Sequence, residues 1–320
     1  MQQLEHFIEG KWQKGAGQGK ILYHAITGDP IYRAAGDGID LGNALEYGRR
    51  VGGPVLRGMT FHERGRMLKK LASYLYTMKE NYYPISYQTG ATRADSWFDI
   101  EGGIGNLFSN ASLRRQFPDQ PFYTEGDAVP SSKGGTFIGH HIMVPREGIA
   151  IHINAYNFPI WGMLEKIAVN LLAGVPAIVK PATVTAYLTE AMVRDIVNSG
   201  ILPDGALQLI AGGGRGLLDH VMYQDVVTFT GSATTGLQLK SHPRVLSEAV
   251  PFNLEADSLN CTILGDDAYP GTPEFDLFIK EVRKEMTIKC GQRCTSIRRI
   301  LVPEKLTGDV QAALVSVLQE

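Results

Sequence analysis

Between Ile149 and Lys240, short apolar runs alternate with stretches of helical periodicity, and this alternation constrains the fold more than any other feature of the chain. Ile149-Ala-Ile-His-Ile153, Ala177-Ile-Val179, Leu207-Gln-Leu-Ile210 and Val226-Val-Thr-Phe229 read as strands. Trp161 to Leu172, ending at Gly174, and Thr185 to Val197, ending at Gly200, read as helices. A shorter helix is predicted over Leu217 to Met222, and another from Gly236 to Lys240. Short strands alternating with helices predict an α/β fold with a parallel, doubly wound sheet. In such a sheet a ligand binds beyond the carboxyl ends of the strands. Residues there carry the most functional information.

The flanking segments read differently. Residues 7–33 suggest short strands and turns, and Asp40 to Val51 a helix. Thr60-Phe-His-Glu63 has the capping-box pattern, and the helix it opens carries Leu68, Leu71, Ala72, Leu75 and Met78 on one face. A further helix is predicted over 93–115 and a strand over Phe137 to Val144. Beyond Ser247 a second unit is expected: strands at Val250 to Leu254 and Cys261 to Leu264, a helix from Phe275 to Met286, then a strand at Ile300 to Val302. The expected division is therefore 1–246 and 247–320.

Charge and cysteine content narrow the function classes. With 31 basic and 33 acidic residues and no basic stripe, nucleic acid is not an expected ligand. No apolar run reaches membrane-spanning length, and Met1-Gln-Gln-Leu-Glu-His-Phe7 lacks the pattern of a secretory signal. Three cysteines, an odd number, favour a reducing compartment and a free thiol, so a cytoplasmic location is expected.

Several strand ends deliver residues able to do chemistry. Asn157, in the segment after Ile153, either donates its amide to a developing oxyanion or caps the next helix. Lys180, before Pro181, either bonds a ribose or phosphate or is solvated. Thr230-Gly231-Ser232, with Gly236 following, offers backbone amides and a helix N-terminus to a pyrophosphate, although it is not the three-glycine dinucleotide fingerprint. Gly212-Gly-Gly214 reads as a turn rather than a phosphate loop. Glu255 is either a general base acting through water, if burial raises its pKa, or a carboxylate paired with a cation. Cys294, in Cys290-Gly-Gln-Arg-Cys294-Thr-Ser296, is either a nucleophile on a loop or a small buried hydrophobe. No further Cys or His lies near the two cysteines, so no metal is expected.

Taken in order, Asn157-Phe-Pro, Lys180-Pro, Phe229-Thr-Gly-Ser, Glu255 and Gly291-Gln-Arg-Cys294 resemble the aldehyde dehydrogenase superfamily. The match runs from Phe7-Ile-Glu-Gly-Lys-Trp12 onward. Gln88-Thr-Gly-Ala-Thr-Arg-Ala-Asp-Ser-Trp97, Asp99-Ile-Glu-Gly-Gly103, His152-Ile-Asn-Ala-Tyr-Asn157 and Glu255-Ala-Asp-Ser-Leu-Asn260 are similar to the semialdehyde dehydrogenase half of bifunctional phenylacetate-degradation proteins. That resemblance implies a Rossmann-like nucleotide-binding domain followed by the beginning of a cysteine-bearing catalytic domain. It implies oxidation of an aldehyde, here 3-oxo-5,6-dehydrosuberyl-CoA semialdehyde, with a nicotinamide dinucleotide. Cys294 would attack the aldehyde, Asn157 and the amide of Cys294 would hold the oxyanion, and Glu255 would activate the hydrolytic water. Lys180 and Thr183 would bind the adenosine ribose, with Phe229, Thr230, Gly231, Ser232 and Gly236 forming the cofactor turn.

The chain departs from the family pattern in two places. The family usually reads Glu-Leu-Gly-Gly, but here Ala256-Asp257 follow Glu255, and the glycines that let the backbone pass close by are missing. The family's later segments, including a second Glu, an oligomerising strand and the fused hydratase-like half, are expected to be missing, so the chain reads as truncated. Homo-oligomerisation is expected of the full-length protein. The family's NAD-preferring members carry an acid where Thr183 stands, so NADP is expected over NAD. Two alternatives stay open: a dehydrogenase for another aldehyde, and a nucleotide-binding fragment or structural homologue without activity.

Overall fold

The structure, a computed structural model, describes residues 1–319. The chain forms two compact units, Met1–Glu255 and Ala256–Glu320. The first opens with β1 (Gln2–Gln3), β2 (Glu5–Ile8), β3 (Lys11–Lys14), β4 (Lys20–Tyr23) and β5 (Pro30–Ala34). Helices α1 (Leu41–Tyr47), α2 (Gly53–Gly58), α3 (Phe61–Met78), α4 (Tyr83–Tyr87) and α5 (Arg93–Leu113) follow. A hairpin of β6 (Tyr123–Pro130) and β7 (Ile138–Met143) leads into the alternating segment. That segment runs β8 (Ala150–Ile153), α6 (Pro159–Leu172), β9 (Ala177–Lys180), α7 (Ala186–Asn198), β10 (Leu207–Leu209), β11 (Val226–Gly231), α8 (Ala233–Lys240), α9 (Pro243–Ser247) and β12 (Phe252–Ala256).

Seven strands form the main sheet in the order β12-β11-β8-β9-β10-β2-β3. As the alternation predicts, β11, β8, β9 and β10 are mutually parallel. Two differences come from long-range pairing. β2 adds antiparallel to β10, with β3 beside it, so the N-terminal segment completes the sheet. Phe252–Ala256, expected in a second unit, instead takes the edge beside β11, so the first unit extends to Glu255 rather than 246.

The central strands β8, β9 and β10 are mostly apolar because both faces are covered. Ala177 and Val179 point into one core with α3, α5, α6 and α7, while Ile178 between them points into the other with Ile151, Val227 and Leu217. Each such fully buried aliphatic side chain contributes about 1.5–3 kcal/mol. Thr60 and Thr92 both close capping boxes, with Glu63 and Asp95, and start α3 and α5. The glycines of α5 allow a close crossing rather than a break. A Cβ on Gly102 would stand 2.3 Å from the Trp161 ring, and one on Gly103 3.0 Å from Trp161 Cα. The helix expected over Asp40 to Val51 forms with Asp40 as its N-cap, and its winding widens from α to π over Gly48–Gly52.

His152 is the polar exception in β8. Its Nδ1 lies 2.8 Å from Thr228 Oγ1 and its Nε2 2.8 Å from Asn170 Oδ1. Asn170 Nδ2 already donates to Val175 O, so Asn170 Oδ1 accepts and the imidazole is the neutral Nε2–H tautomer. Burial pushes the His152 pKa down to about 4, from about 6.5, with Lys166 adding to the fall. The unfolded chain therefore binds a proton that the folded chain refuses. Stability from this group is complete above about pH 6.5 and declines as pH falls toward about 4, by up to about 3 kcal/mol. Denaturant midpoints measured between pH 7 and pH 4 should fall more steeply for the native chain than for His152→Gln. Parallel curves would show that His152 does not carry the effect.

In the second unit, β13 (Cys261–Ile263) pairs in parallel with β14 (Arg299–Leu301), and α10 (Pro273–Thr287) connects them. Thr272 caps α10 by accepting from Phe275 N. Phe275, Phe278, Ile279 and Val282 of α10 form a small core with Leu264, Leu306 and Val310, the last from α11 (Thr307–Gln319).

Candidate active site

The first unit gathers its candidate residues at the carboxyl ends of β8, β9 and β11, and on β12. After β8 the chain passes through half-buried Asn157 into α6. The N-cap position of α6 is Phe158, which makes no side-chain cap bond. Asp99, reaching across from α5, does that work. Its carboxylate accepts from Trp161 N at 2.8 Å and from Ile160 N at 3.2 Å. A carboxylate facing a helix N-terminus stabilises it by about 0.3–1 kcal/mol, and more when partly buried. The Asp99 stretch stood out in the sequence, but this role did not, since its partners lie about sixty positions away.

At the end of β9, the half-buried Lys180 donates to Pro181 O at 2.9 Å and lies 3.4 Å from Thr183 Oγ1. Burial, and secondarily the charge of Lys20, hold its pKa below the ordinary lysine range. Its methylene stem packs over Gly214. Gly212 is required by contact with the N-terminal segment, because a Cβ there would stand 2.3 Å from Ala35 O. The triple glycine is thus a packed turn.

At the end of β11, Phe229 is buried and its ring fills the space a Cβ would need at Gly231 and Gly236. Leu254 closes over Gly236 from β12. The Phe229 side chain therefore supports the turn from beneath. Ser232 caps α8 by accepting from Thr235 N at 3.3 Å. Thr230 Oγ1 donates to Glu255 Oε2 at 3.3 Å.

Glu255 is not buried in this unit, as the base reading had required, but 48% exposed along its side chain. Lys166 of α6 pairs with it at 3.2 Å and with Glu165 at 3.0 Å. Burial opposes the Lys166 charge, but its two carboxylate partners outweigh it, so its pKa lies above the ordinary lysine value. Lys166 was not singled out from sequence. A Lys beside a Glu on an amphipathic helix is commonplace, and only the sheet order brings Glu255 to it.

Cys294 lies in the second unit, on the loop between α10 and β14. All three cysteines, Cys261, Cys290 and Cys294, are free and exposed. The chain enters that loop through three left-handed residues, Lys289, Cys290 and Gly291, with φ of 49°, 52° and 71°. Two of them are not glycine, a conformation that costs roughly 1–3 kcal/mol per residue. The Cys294 carbonyl accepts from Ser258 Oγ at 2.5 Å and from Asn260 Nδ2 at 2.7 Å. Asp257, where the family has glycine, adopts φ +50°, and Asp is among the residue types that tolerate this region. Among the described residues, no cluster of His, Cys, Asp or Glu is arranged to hold a metal ion, and no helix is long and apolar enough to cross a membrane.

Residues 15–320 match the model of the aldehyde dehydrogenase family. A 3,4-dehydroadipyl-CoA semialdehyde dehydrogenase of Aromatoleum evansii is 47% identical over 301 residues, covering 94% of this chain and 58% of that protein. An N-succinylglutamate 5-semialdehyde dehydrogenase of Erwinia tasmaniensis is 28% identical, covering 96% and 59%. The chain thus spans somewhat under three fifths of the length of these relatives. Among solved structures, betaine aldehyde dehydrogenase of Staphylococcus aureus in complex with NAD+ superposes with a TM-score of 0.85 at 20% identity, over 99% of this chain and 61% of that one. An NADP-dependent enzyme of E. coli superposes with a TM-score of 0.83 at 19% identity, over 99% and 63%.

Proposed function

Because the chain belongs to the aldehyde dehydrogenase family, we propose that it carries out the nucleotide-binding and nucleophilic parts of an NAD(P)-dependent aldehyde oxidation. Cys294 Sγ, as thiolate, adds to the aldehyde carbonyl and forms a thiohemiacetal. The Asn157 amide and the Cys294 backbone N–H stabilise the oxyanion. A nicotinamide dinucleotide held by Lys180, Thr183 and the turn at residues 230–232 would supply the hydride acceptor, and Cys294 would then carry the acyl group as a thioester. Glu255 takes a proton from water as that water attacks the thioester, which releases the acid and returns the thiol.

The residues present fit a dinucleotide. Lys180 and Thr183 supply donors for ribose hydroxyls beside a glycine turn whose Gly213 has no heavy atom within 4 Å of its Cβ position. Ser232 stands at the open N-terminus of α8. The observation that supports this reading most is the convergence of Lys180, Asn157, Thr230 and Glu255 on strand ends of one sheet, the place where parallel sheets bind ligands.

The substrate class is a coenzyme A thioester bearing a terminal aldehyde, formed by ring opening in aromatic degradation. The relative from Aromatoleum evansii is named for a dehydroadipyl chain, shorter than the dehydrosuberyl chain expected from sequence. The adipyl compound is therefore the first to assay. NADP is the proposed cofactor, a reducing cytoplasm the proposed location, and a homo-oligomer the proposed state. The β6–β7 hairpin, with Val129, Ile138, Ile142 and Met143 exposed, supports the last.

All three thiols are exposed, so differential labelling reports activation rather than access. Iodoacetamide at pH 7, below the ordinary thiol pKa of about 8.5, should modify Cys294 several-fold faster than Cys261 or Cys290. Mass mapping of alkylated peptides reads the result. Equal labelling of the three would remove Cys294 from the nucleophile's role.

A further inference from the structure

We infer that Asn154 is a positioning residue for the hydrolytic half-reaction: its buried amide binds a water that orients the Thr230 hydroxyl on Glu255. The inference rests on the reading of Glu255 as the base, given above, and adds a residue to which that reading assigns no role.

Asn154 follows β8 directly and is 5% exposed. Its backbone N–H donates to Lys180 O at 3.0 Å. Its side chain is left without such a bond. Both amide atoms, Nδ2 and Oδ1, are buried, and among the described residues neither has a hydrogen-bond partner. An unpaired buried donor or acceptor carries its full desolvation penalty, which an aliphatic side chain of the same shape avoids. Leucine has that shape, and Ile151 and Ile153 show that aliphatic residues suit this strand. Fold stability therefore does not account for an asparagine here. A buried polar group without a protein partner points to a bound water or to a role in the chemistry.

The surroundings of Asn154 lead to Glu255. Side chains alternate across a strand. Ile151 and Ile153 face the core that contains Val227, whereas His152 and Asn154 face α6. A Cβ on Gly162 of α6 would stand 3.8 Å from Asn154 Cβ. On β11, Thr228 meets His152, and Thr230, two residues on, shares that face. The pairing of Ile153 with Phe229 sets Asn154 beside Thr230. Thr230 donates to Glu255, and Lys166, one turn beyond Gly162 on α6, holds the same carboxylate. Asn154, Thr230 and Glu255 thus form one polar row at the ends of β8, β11 and β12. Alongside it, His152, Thr228, Asn170, Lys166 and Asn253 line a cavity of 610 Å³, which brings solvent to this polar side of α6. A water beside Asn154 would find the amide oxygen, the amide N–H and the Thr230 hydroxyl oxygen, enough to hold it in place. The single Thr230 hydroxyl hydrogen goes to Glu255, so Thr230 Oγ1 accepts from any other neighbour. A water that accepts from Asn154 Nδ2 and donates to Thr230 Oγ1 fixes that polarity. The Glu255 carboxylate is then held in one orientation toward the attacking water.

Ester hydrolysis by the whole chain tests this without any dinucleotide. p-Nitrophenyl acetate acylates Cys294 with a burst of nitrophenolate, and steady turnover then reports hydrolysis of the acyl-enzyme. Asn154→Leu should leave the burst amplitude and burst rate as in wild type and the urea denaturation midpoint no lower. It should slow the steady rate by on the order of tenfold, the worth of one hydrogen bond to a charged group. Asn154→Ser, which keeps a hydroxyl and leaves room for the water, should recover most of that rate. Thr230→Val should slow the same step, and adding Asn154→Leu to it should bring no further loss, because the two act through one chain of bonds. An unchanged steady rate in Asn154→Leu overturns the inference. So do additive losses in the double variant, and so does a burst that falls together with turnover, which would make Asn154 a structural residue. If wild type shows no burst, or one that survives Cys294→Ala, the thioester reading itself fails, an outcome distinct from all of those.

Discussion

In any protein containing this chain that oxidises an aldehyde, Cys294→Ala is expected to abolish oxidation, and Glu255→Gln to stop it one step later. The two losses should differ in kind. Without the thiol no covalent adduct forms, so no reduced cofactor appears even in the first turnover, while dinucleotide binding persists. Without the carboxylate the adduct forms and transfers hydride, but water is not activated. A single burst of reduced cofactor is then expected, followed by turnover slower by roughly 10²–10⁴-fold, the usual contribution of a general base. Stopped-flow absorbance of the reduced nicotinamide separates the cases. The Lys166 ion pair gives Glu255→Gln a built-in control. If the role of Glu255 were only to neutralise Lys166, Lys166→Met would relieve the defect, whereas a missing base is not restored that way. An unchanged steady-state rate in Glu255→Gln would move the base to another group, with Asp257 the first to test.

Thr183→Glu is expected to reverse the cofactor preference. Wild type should show a higher kcat/KM with NADP than with NAD. A carboxylate at residue 183 would stand at the rim of the cavity shared by Lys20 and Arg215. Like charges about 4 Å apart cost about 4 kcal/mol at the effective dielectric of a protein surface, so even a partly screened encounter should shift the NADP/NAD ratio by on the order of 10²-fold. The same carboxylate would accept hydrogen bonds from unphosphorylated ribose hydroxyls and favour NAD. Lys180 lies 3.4 Å from the Thr183 hydroxyl, so the new acid would also find a cation, and the variant is expected to fold. A wild type that favours NAD would mean that residue 183 does not govern the choice.

The order of elements in the alternating segment was legible because each depends on neighbours within a few positions. The apolar runs at Ala177–Lys180 and Val226–Gly231, the capping boxes at Thr60 and Thr92, and the left-handed glycines at 174 and 200 are local effects of periodicity, hydrogen-bond capping and glycine's backbone freedom. So is the presence of polar residues at strand ends, where the chain leaves the sheet. The helix expected at Asp40 to Val51 forms, but it changes from α to π over Gly48–Gly52 for a long-range reason. Gly48 and Gly52 lie against Ile149 and Gly205, and the glycines permit that contact at the expense of regular helix.

From sequence alone, then, came the parallel α/β core, its ligand-binding edge, and the ordered set Asn157, Lys180, Glu255 and Cys294 as candidates. Tertiary structure alone decided what stands next to them. It placed Asp99 over the start of α6, put Lys166 against Glu255, moved Phe252–Ala256 onto the edge of the first unit's sheet, and brought Lys20 to the cavity beside Lys180, 160 positions away. The reason is physical. Backbone conformation responds to a window of about one turn or one strand, whereas a side chain's neighbours depend on how buried faces stack, and no short window of sequence encodes that stacking.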